Sequence, residues 1–420
     1  MFKTLVNAFK IKDIRKKIFY TGLLILIYRL GCVLPIPGVN AAYITSQVSS
    51  YSALGFLNLL SGGGLSQFSI FAMGISPYIT GSIIMQLLTI AIPALERIAK
   101  EDDGRKKIER ITRYVGIGLA LVQSVGIITA LGEGAVYNPG FFTYATIGII
   151  ATAGTAFLMW LGERITEDGI GNGISMIIFA SIVSQVPTTV AQIIAGWGTL
   201  YQWWMVLLLL VLALAVITLV VYVNGGVRKV PVQYAKRVVG RKQYGGQSTH
   251  IPMKANANGV MPLIFTMTIT QLPLMIIQIV DPTQQGGFTQ FYNKYLGTGT
   301  VVYYIVYALL VVGFAYFYTT ISFNPIEMSK NLQQYGGFIP GIRPGKPTSD
   351  YLARISSRLT LFGALFLAVI AIIPNLLMGL GGIQSPFGPT SVLIMVSVAL
   401  ETVDQLENLM LMRHYKGFLN

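Results

Sequence analysis

The sequence predicts an all-α polytopic membrane protein with ten transmembrane helices in two inverted five-helix halves. Composition is the first observation, because 53% of the residues are hydrophobic and only 11% are charged. A soluble domain carries about 25% charged residues. The second observation is a series of ten apolar runs, each close to the length that spans a bilayer. The third is that Lys and Arg gather in alternate connections between these runs, which predicts the orientation.

The ten apolar runs define the predicted spans. A bilayer core requires about 20 apolar residues per helix. The runs cover residues 18–37, 74–92, 113–131, 142–161, 172–190, 203–223, 259–279, 300–322, 355–374 and 390–411. The fifth and seventh runs are the least apolar, since they contain Ser, Thr, Asn or Gln. Such a composition is typical of helices that line a polar path through a membrane.

The basic residues predict that both termini are cytoplasmic. With the N-terminus inside, all of the 30 lysines and arginines except Arg29 and Lys294 fall in segments on the cytoplasmic side. These segments are 1–17, 93–113, 162–171, 224–258, 323–358 and 412–420. The net charge of +14 is therefore explained by the positive-inside rule. Lys294 falls in an outside loop, and Arg29 falls within the first predicted span.

The number of spans also predicts internal symmetry. Five spans precede residue 195 and five follow it, giving halves at 18–195 and 196–411, a basic N-terminus at 1–17 and a tail at 412–420. Because each half has an odd number of spans, the second half must insert upside down relative to the first. An inverted repeat of this kind places a functional path at the interface of the halves.

The usual signatures of enzymes and cofactor-binding proteins are absent from the sequence. A single cysteine, Cys32, and two distant histidines predict no disulfide and no metal site. The glycines at 62–64 lack the Lys-Ser/Thr that completes a nucleotide-binding loop. We therefore expect no cofactor and no enzymatic activity. A secondary transporter with inverted repeats is the alternative, and the scarcity of charges within the spans argues against it.

Three connections are unusual in length and composition. Residues 61–72, after the first span, are apolar enough to enter a membrane but too short to cross it. They predict either a short re-entrant helix with a glycine hinge or a helix on the membrane surface. The connections at 224–258 and 323–354 are long, basic and rich in turn residues. Their charges either enforce topology and contact anionic lipid or dock a partner.

Several sequence strings together resemble the SecY family, the pore-forming subunits of the bacterial protein-conducting channel. They are FSIFAMGISPYI at 68–79, GTAFLMWLGE at 154–163, GNGIS at 171–175, QYAK at 233–236, QSTHIP at 247–252, GIRPG at 341–345 and YKGF at 415–418. The resemblance extends from the N-terminus to residue 418 and implies that the two halves surround a central pore.

The resemblance also implies roles for individual residues. A pore ring of aliphatic side chains would consist of Ile79, Ile83, Ile178, Ile264 and Ile394. A plug helix at about 62–72 would present Leu65, Phe68, Ile70 and Phe71.

Two further sets of residues are implied. A lateral gate would open between the second and third spans on one side and the seventh and eighth on the other, with Gln86 and Thr268 as polar gate residues. Partners would dock on the long loops through Arg241, Lys242 and Arg343.

The implied function is transport of unfolded secretory polypeptides across the bacterial cytoplasmic membrane. Apolar segments and signal peptides would leave sideways into membrane lipids. The SecA motor ATPase or the ribosome would drive transport, and SecE and SecG would be partner subunits. No cofactor is implied.

Overall fold

The computed structural model describes most of the chain. The described residues are 8–50, 52–101, 103–196, 202–234, 237–239, 242–244, 248–256, 259–280, 286–297, 299–380 and 388–416. The helices are α1 (Lys12–Val33), α2 (Ala41–Ser50), α3 (Ser52–Leu60), α4 (Ser76–Ala91), α5 (Pro93–Ala99), α6 (Gly104–Ala130), α7 (Phe141–Asp168), α8 (Gly173–Ala195), α9 (Trp203–Asn224), α10 (Met261–Val280), α11 (Gly287–Leu296), α12 (Val301–Ser322), α13 (Pro325–Gln334), α14 (Lys346–Leu380) and α15 (Pro389–Lys416).

Ten of these helices coincide with the ten predicted spans, which confirms the predicted fold class. By length and composition, six described helices could cross a membrane, and α4 with α5 makes a seventh if this pair, bent by 105°, is one span. The other three are less uniformly apolar. α1 begins with several lysines, α10 is apolar over Met261–Leu274, and α15 carries Glu401 and Asp404.

The described chain divides into two compact units. Unit 1 contains Met1–Leu207, Met267–Thr298 and Ile383–Asn420, and unit 2 contains Leu208–Thr266 and Gly299–Gly382. The boundary passes through α10, so the units differ from the predicted halves at 18–195 and 196–411. The inverted relation of those halves stays a prediction.

Close contacts between glycines bring the helices of unit 1 together. A Cβ on Gly81 of α4 would lie 3.1 Å from the backbone nitrogen of Gly116 on α6. A Cβ on Gly173, at the start of α8, would overlap the carbonyl oxygen of Gly162 on α7. The Asn172 side chain caps α8, accepting hydrogen bonds from backbone nitrogens at 174 and 175. The turn before α8 therefore packs backbone against backbone.

Unit 2 carries a small sheet that was not predicted from the sequence. Its strands are β1 (Val227–Tyr234), β4 (Ser248–Lys254) and β5 (Gly337–Phe338), in the order β4-β1-β5 and antiparallel throughout. A second pair, β2 (Arg237–Val239) and β3 (Lys242–Tyr244), forms a hairpin. The connections predicted at 224–258 and 323–354 are thus joined into one structure.

A compact core lies beneath this sheet. It consists of Val230, Val232, Met253, Ile339 and Leu352. The two predicted loops contribute both sides of this core, and burial of its apolar surface gives them a common, ordered shape. Helices α12 and α14 are joined nearby by a hydrogen bond of 2.9 Å between the hydroxyls of Thr319 and Thr360.

Substitution of Gly173 by Ala should destabilise the protein by on the order of 1–3 kcal/mol, because the added methyl meets backbone and the helices must separate. Gly118→Ala on α6 is the matched control, since nothing lies within 4 Å of its added Cβ. Thermal unfolding in detergent measures both variants. Equal midpoints for the two would contradict the close packing of α7 and α8.

Candidate functional site

Residues 61–75, here called the inner segment, connect α3 to α4. The expected plug helix at about 62–72 is wrong, because this segment consists of successive turns and the helix lies before it, at Ser52–Leu60. The physical reason is backbone conformation. Gly62, Gly63 and Gly74 have φ of +65°, +89° and +56°, and Phe68 has φ +43°. Positive φ is incompatible with a right-handed helix.

Hydrogen bonds satisfy the irregular backbone of the inner segment. Phe68 accepts a bond of 3.0 Å from the amide of Ile36, and Ile70 donates one of 3.0 Å to the carbonyl of Leu34. The amide of Ser66 donates to the side chain of Asn58 at 2.9 Å. The segment is therefore tied to the end of α1 and to α3.

The apolar side chains of the inner segment are buried. Leu65 and Phe68 are fully buried in a core shared with Ile36, Ile127 and Ile147. The partly buried Ile70 packs against the same core. Of the four predicted plug side chains, three are therefore almost fully buried, and Ile70 is half-buried.

Phe71 is held between two other aromatic rings. Its ring stacks on Tyr28 of α1 at 6.1 Å and on Phe157 of α7 at 5.9 Å between centroids. Two glycines make room for this approach. A Cβ on Gly31 would overlap the Phe71 ring, and a Cβ on Gly154 would overlap the carbonyl oxygen of Ile70.

Polar groups from two spans surround the start of the inner segment. Nη1 of Arg29 donates to the carbonyl of Gly62 at 2.9 Å, and the Cys32 thiol lies 3.4 Å from the carbonyl of Ser61. Beside them, the hydroxyls of Tyr28 and Ser181 are 2.5 Å apart. These side chains lie in the middle of predicted spans, so the inner segment packs at membrane depth. This packing favours the re-entrant alternative over the surface one.

The predicted pore isoleucines are all buried. Ile79 and Ile83 on α4, Ile178 on α8 and Ile394 on α15 lie in unit 1, where each is at most 6% exposed. Ile264 is assigned to unit 2 and is 5% exposed. A ring formed by the five stays a prediction.

The predicted gate residues are partly or fully buried. The amide nitrogen of Gln86 donates to Ser82 at 3.4 Å, and Thr268 on α10 is buried. Gln271, one turn after Thr268, is a further polar residue of this helix that was not predicted from the sequence. Within the described residues, the side-chain oxygens of Gln86 and Gln271 are buried and accept no hydrogen bond. A buried oxygen of this kind costs about 1–3 kcal/mol, so both glutamines mark surfaces that require a polar partner.

The predicted docking residues are described to different extents. Arg343 is exposed in an ordered turn. The turn is held by a bond of 2.9 Å from Thr348 to the Arg343 carbonyl and one of 2.7 Å from Ser329 to the Gly345 carbonyl. Lys242 has its backbone on β3, and Arg241 lies outside the described residues.

Comparison with known proteins decides the family. Residues 69–403 match the family model described as SecY. This chain belongs to the SecY family. The protein translocase subunit SecY of Halalkalibacterium halodurans is 44% identical, and the alignment covers 100% of both chains. The SecY of Corynebacterium glutamicum is 43% identical over 99% of both chains.

Solved structures show the same fold. A structure described as a protein conducting channel aligns with a TM-score of 0.67 and 19% identity over 93% of this chain and 91% of that one. A canine ribosome-channel complex from the endoplasmic reticulum contains a chain that aligns with a TM-score of 0.60 and 18% identity, over 93% and 91%. This chain thus has the multi-pass membrane fold of the SecY family.

Gly31→Ala should loosen the inner segment of this SecY-family chain, because the added methyl displaces the Phe71 ring. Gly22→Ala on the same helix is the control, since its Cβ meets nothing within 4 Å. Hydrogen exchange measures the amides of residues 68–72. We expect exchange about tenfold faster in Gly31→Ala and unchanged in Gly22→Ala, as a loss of about 1.4 kcal/mol predicts. Unchanged exchange in both variants would contradict the role assigned to Gly31.

Proposed function

We propose that this chain is the channel subunit of a protein translocase and passes unfolded secretory polypeptides across the bacterial cytoplasmic membrane. The observation that carries the proposal is the inner segment, an irregular stretch packed at membrane depth among α1, α6, α7 and α8. Such backbone is tolerated in a membrane only where it is buried in protein or lines a cavity. Full-length relatives named as translocase subunits support the same function.

In this proposal the inner segment is the plug of the resting channel. Its apolar side chains pack against α1, α6 and α7, and the segment leaves this site when a polypeptide enters. The five isoleucines then form the narrowest part of the path. Aliphatic side chains exclude water and ions by dewetting, and they yield around a passing chain because they are flexible and uncharged.

The lateral gate sorts segments by their affinity for lipid. Each Leu near the centre of a segment contributes roughly −0.3 to −0.6 kcal/mol to insertion, so ten of them contribute roughly −3 to −6 kcal/mol. One Asp, Lys or Arg opposes insertion by about 2.5–3.5 kcal/mol. Gln86 and Thr268, with Gln271 one turn after Thr268, supply the polar surface that an apolar signal peptide displaces.

In this proposal the chain forms the channel, and its partners supply the driving force for transport. The ribosome or the SecA motor docks on the cytoplasmic structure of unit 2, where Arg241, Lys242 and Arg343 contact it. The ordered turn around Arg343 supports this role, as does the fold shared with a channel in a ribosome complex. SecE and SecG complete the complex. The distribution of basic residues supports a cytoplasmic location for both termini and for this surface.

A secondary transporter is not favoured by these findings. Such a protein requires a small-solute site with charges or broken helices near the midplane. The single charge found at that depth, within the described spans of unit 1, is Arg29, and its partner is a backbone carbonyl.

Deletion of residues 62–72 tests the channel and its plug. In planar bilayers, we expect the purified complex with this deletion to conduct ions at rest, because the site between the spans is left open. The wild-type complex should remain closed. A deletion variant that transports a precursor in vesicles and yet shows no resting conductance would contradict the plug.

Charge reversal tests the docking surface. Arg343→Glu should lower SecA- or ribosome-dependent transport by about tenfold or more, since like charges at an interface cost several kcal/mol. Lys330→Glu is the control, because Lys330 is exposed on the neighbouring helix α13 and lies outside the turn. Equal transport by the two variants would remove Arg343 from the docking site.

A further inference from the structure

Arg29 is the feature that neither the topology nor the pore assignment explains. It lies in the last third of α1 and near the centre of the predicted span 18–37, whereas other basic residues of unit 1 flank the spans. A charge at this depth is costly and requires a specific partner. A residue that served only as a topology signal would flank the apolar span.

The partner of Arg29 is the backbone of the inner segment. Nη1 donates to the carbonyl of Gly62 at 2.9 Å, and the guanidinium carbon lies 5.9 Å from the centre of the Tyr28 ring. No carboxylate lies within ion-pair distance of Arg29 in the part of the chain that the structure describes. The hydrogen bond to Gly62 is charge-assisted, which makes it stronger than a neutral one.

The conformation of Gly62 permits this contact. With φ at +65°, a Cβ at this position would lie 2.5 Å from Nη1 of Arg29 and 2.9 Å from the hydroxyl of Tyr28. Any side chain would also approach the backbone of Ser181 on α8, at 3.2 Å. The absence of a side chain at residue 62 is therefore part of the binding geometry.

Neighbouring groups hold the same short stretch. The Cys32 thiol lies against the Ser61 carbonyl, and the bond between Tyr28 and Ser181 joins α1 to α8 behind it. Ser181 in turn donates to the carbonyl of Ile177 at 2.8 Å. Arg29 thus acts on a site already formed by two helices, and it supplies the one formal charge of that site.

We propose that Arg29 is a positioning residue that holds the inner segment closed, and that release of its hydrogen bond to Gly62 is a step of channel opening. This inference rests on the plug role proposed above. When the segment leaves, the half-buried guanidinium loses its carbonyl partner and the charge-assisted bond to it. The closed state is therefore favoured until an entering polypeptide offers its own carbonyl groups to Arg29.

Cys32 provides a direct probe of this step, because it is the only cysteine of the chain and is 3% exposed beneath the inner segment. In proteoliposomes, labelling of Cys32 by N-ethylmaleimide reports opening of the segment. We expect Arg29→Gln to raise both the labelling rate and the resting conductance by about tenfold, the effect of losing one charge-assisted bond. Arg29→Lys keeps the charge and should lie between Arg29→Gln and the wild type.

Gly62→Ala disrupts the same contact at the partner of Arg29. This variant tests the proposal even if Arg29→Gln fails to fold. Its control is Gly132→Ala, which has a similar positive φ of +83° but nothing within 4 Å of the added Cβ. We expect faster labelling only in Gly62→Ala. If Arg29→Gln and Gly62→Ala both behave as wild type while deletion of 62–72 conducts ions, the role of Arg29 is overturned and the plug stands. If the deletion does not conduct, both proposals fail.

Discussion

The structure depends on one constraint, which is that irregular backbone at membrane depth must find all of its hydrogen bonds within the protein. The inner segment meets this constraint through bonds to the chain after α1, to α3 and to Arg29. These bonds explain why the segment can be apolar and yet not helical. The position of the segment also depends on these bonds. They join it to other elements, and they can be lost together when the segment moves.

The helices around the inner segment are shaped to admit it. Gly31 allows the Phe71 ring to lie against α1, and Gly154 allows the backbone of Ile70 to approach α7. Larger residues at these positions would push the segment out of its site. Glycine lowers the intrinsic helix propensity by about 1 kcal/mol relative to alanine. In a membrane the helices persist nonetheless, because their backbone groups must bond internally and small residues let helices pack closely. A removable segment and a stable set of spans are therefore compatible.

The ten spans could be predicted because a run of about 20 apolar residues has few alternatives in a membrane. The inner segment was located by composition, but its turns depend on positive φ at Gly62, Gly63 and Phe68, which composition does not reveal. The cytoplasmic sheet was missed because β1 contains Arg228, Lys229 and Pro231 and pairs with strands distant in sequence. Arg29 stood out only as an exception to the charge pattern, and its partner became evident from the fold.

Crosslinking to a moving substrate tests the central claim, that polypeptides pass through this chain, most directly. The native Cys32 is replaced by Ser, and a single cysteine is placed at Ile178, with Ile149→Cys on α7, which is 63% exposed, as the matched control. A secretory precursor with one cysteine is then stalled in transit. The account predicts a disulfide at position 178 and none at 149. A precursor that is transported and yet crosslinks at none of the positions 79, 178, 264 and 394 would contradict it.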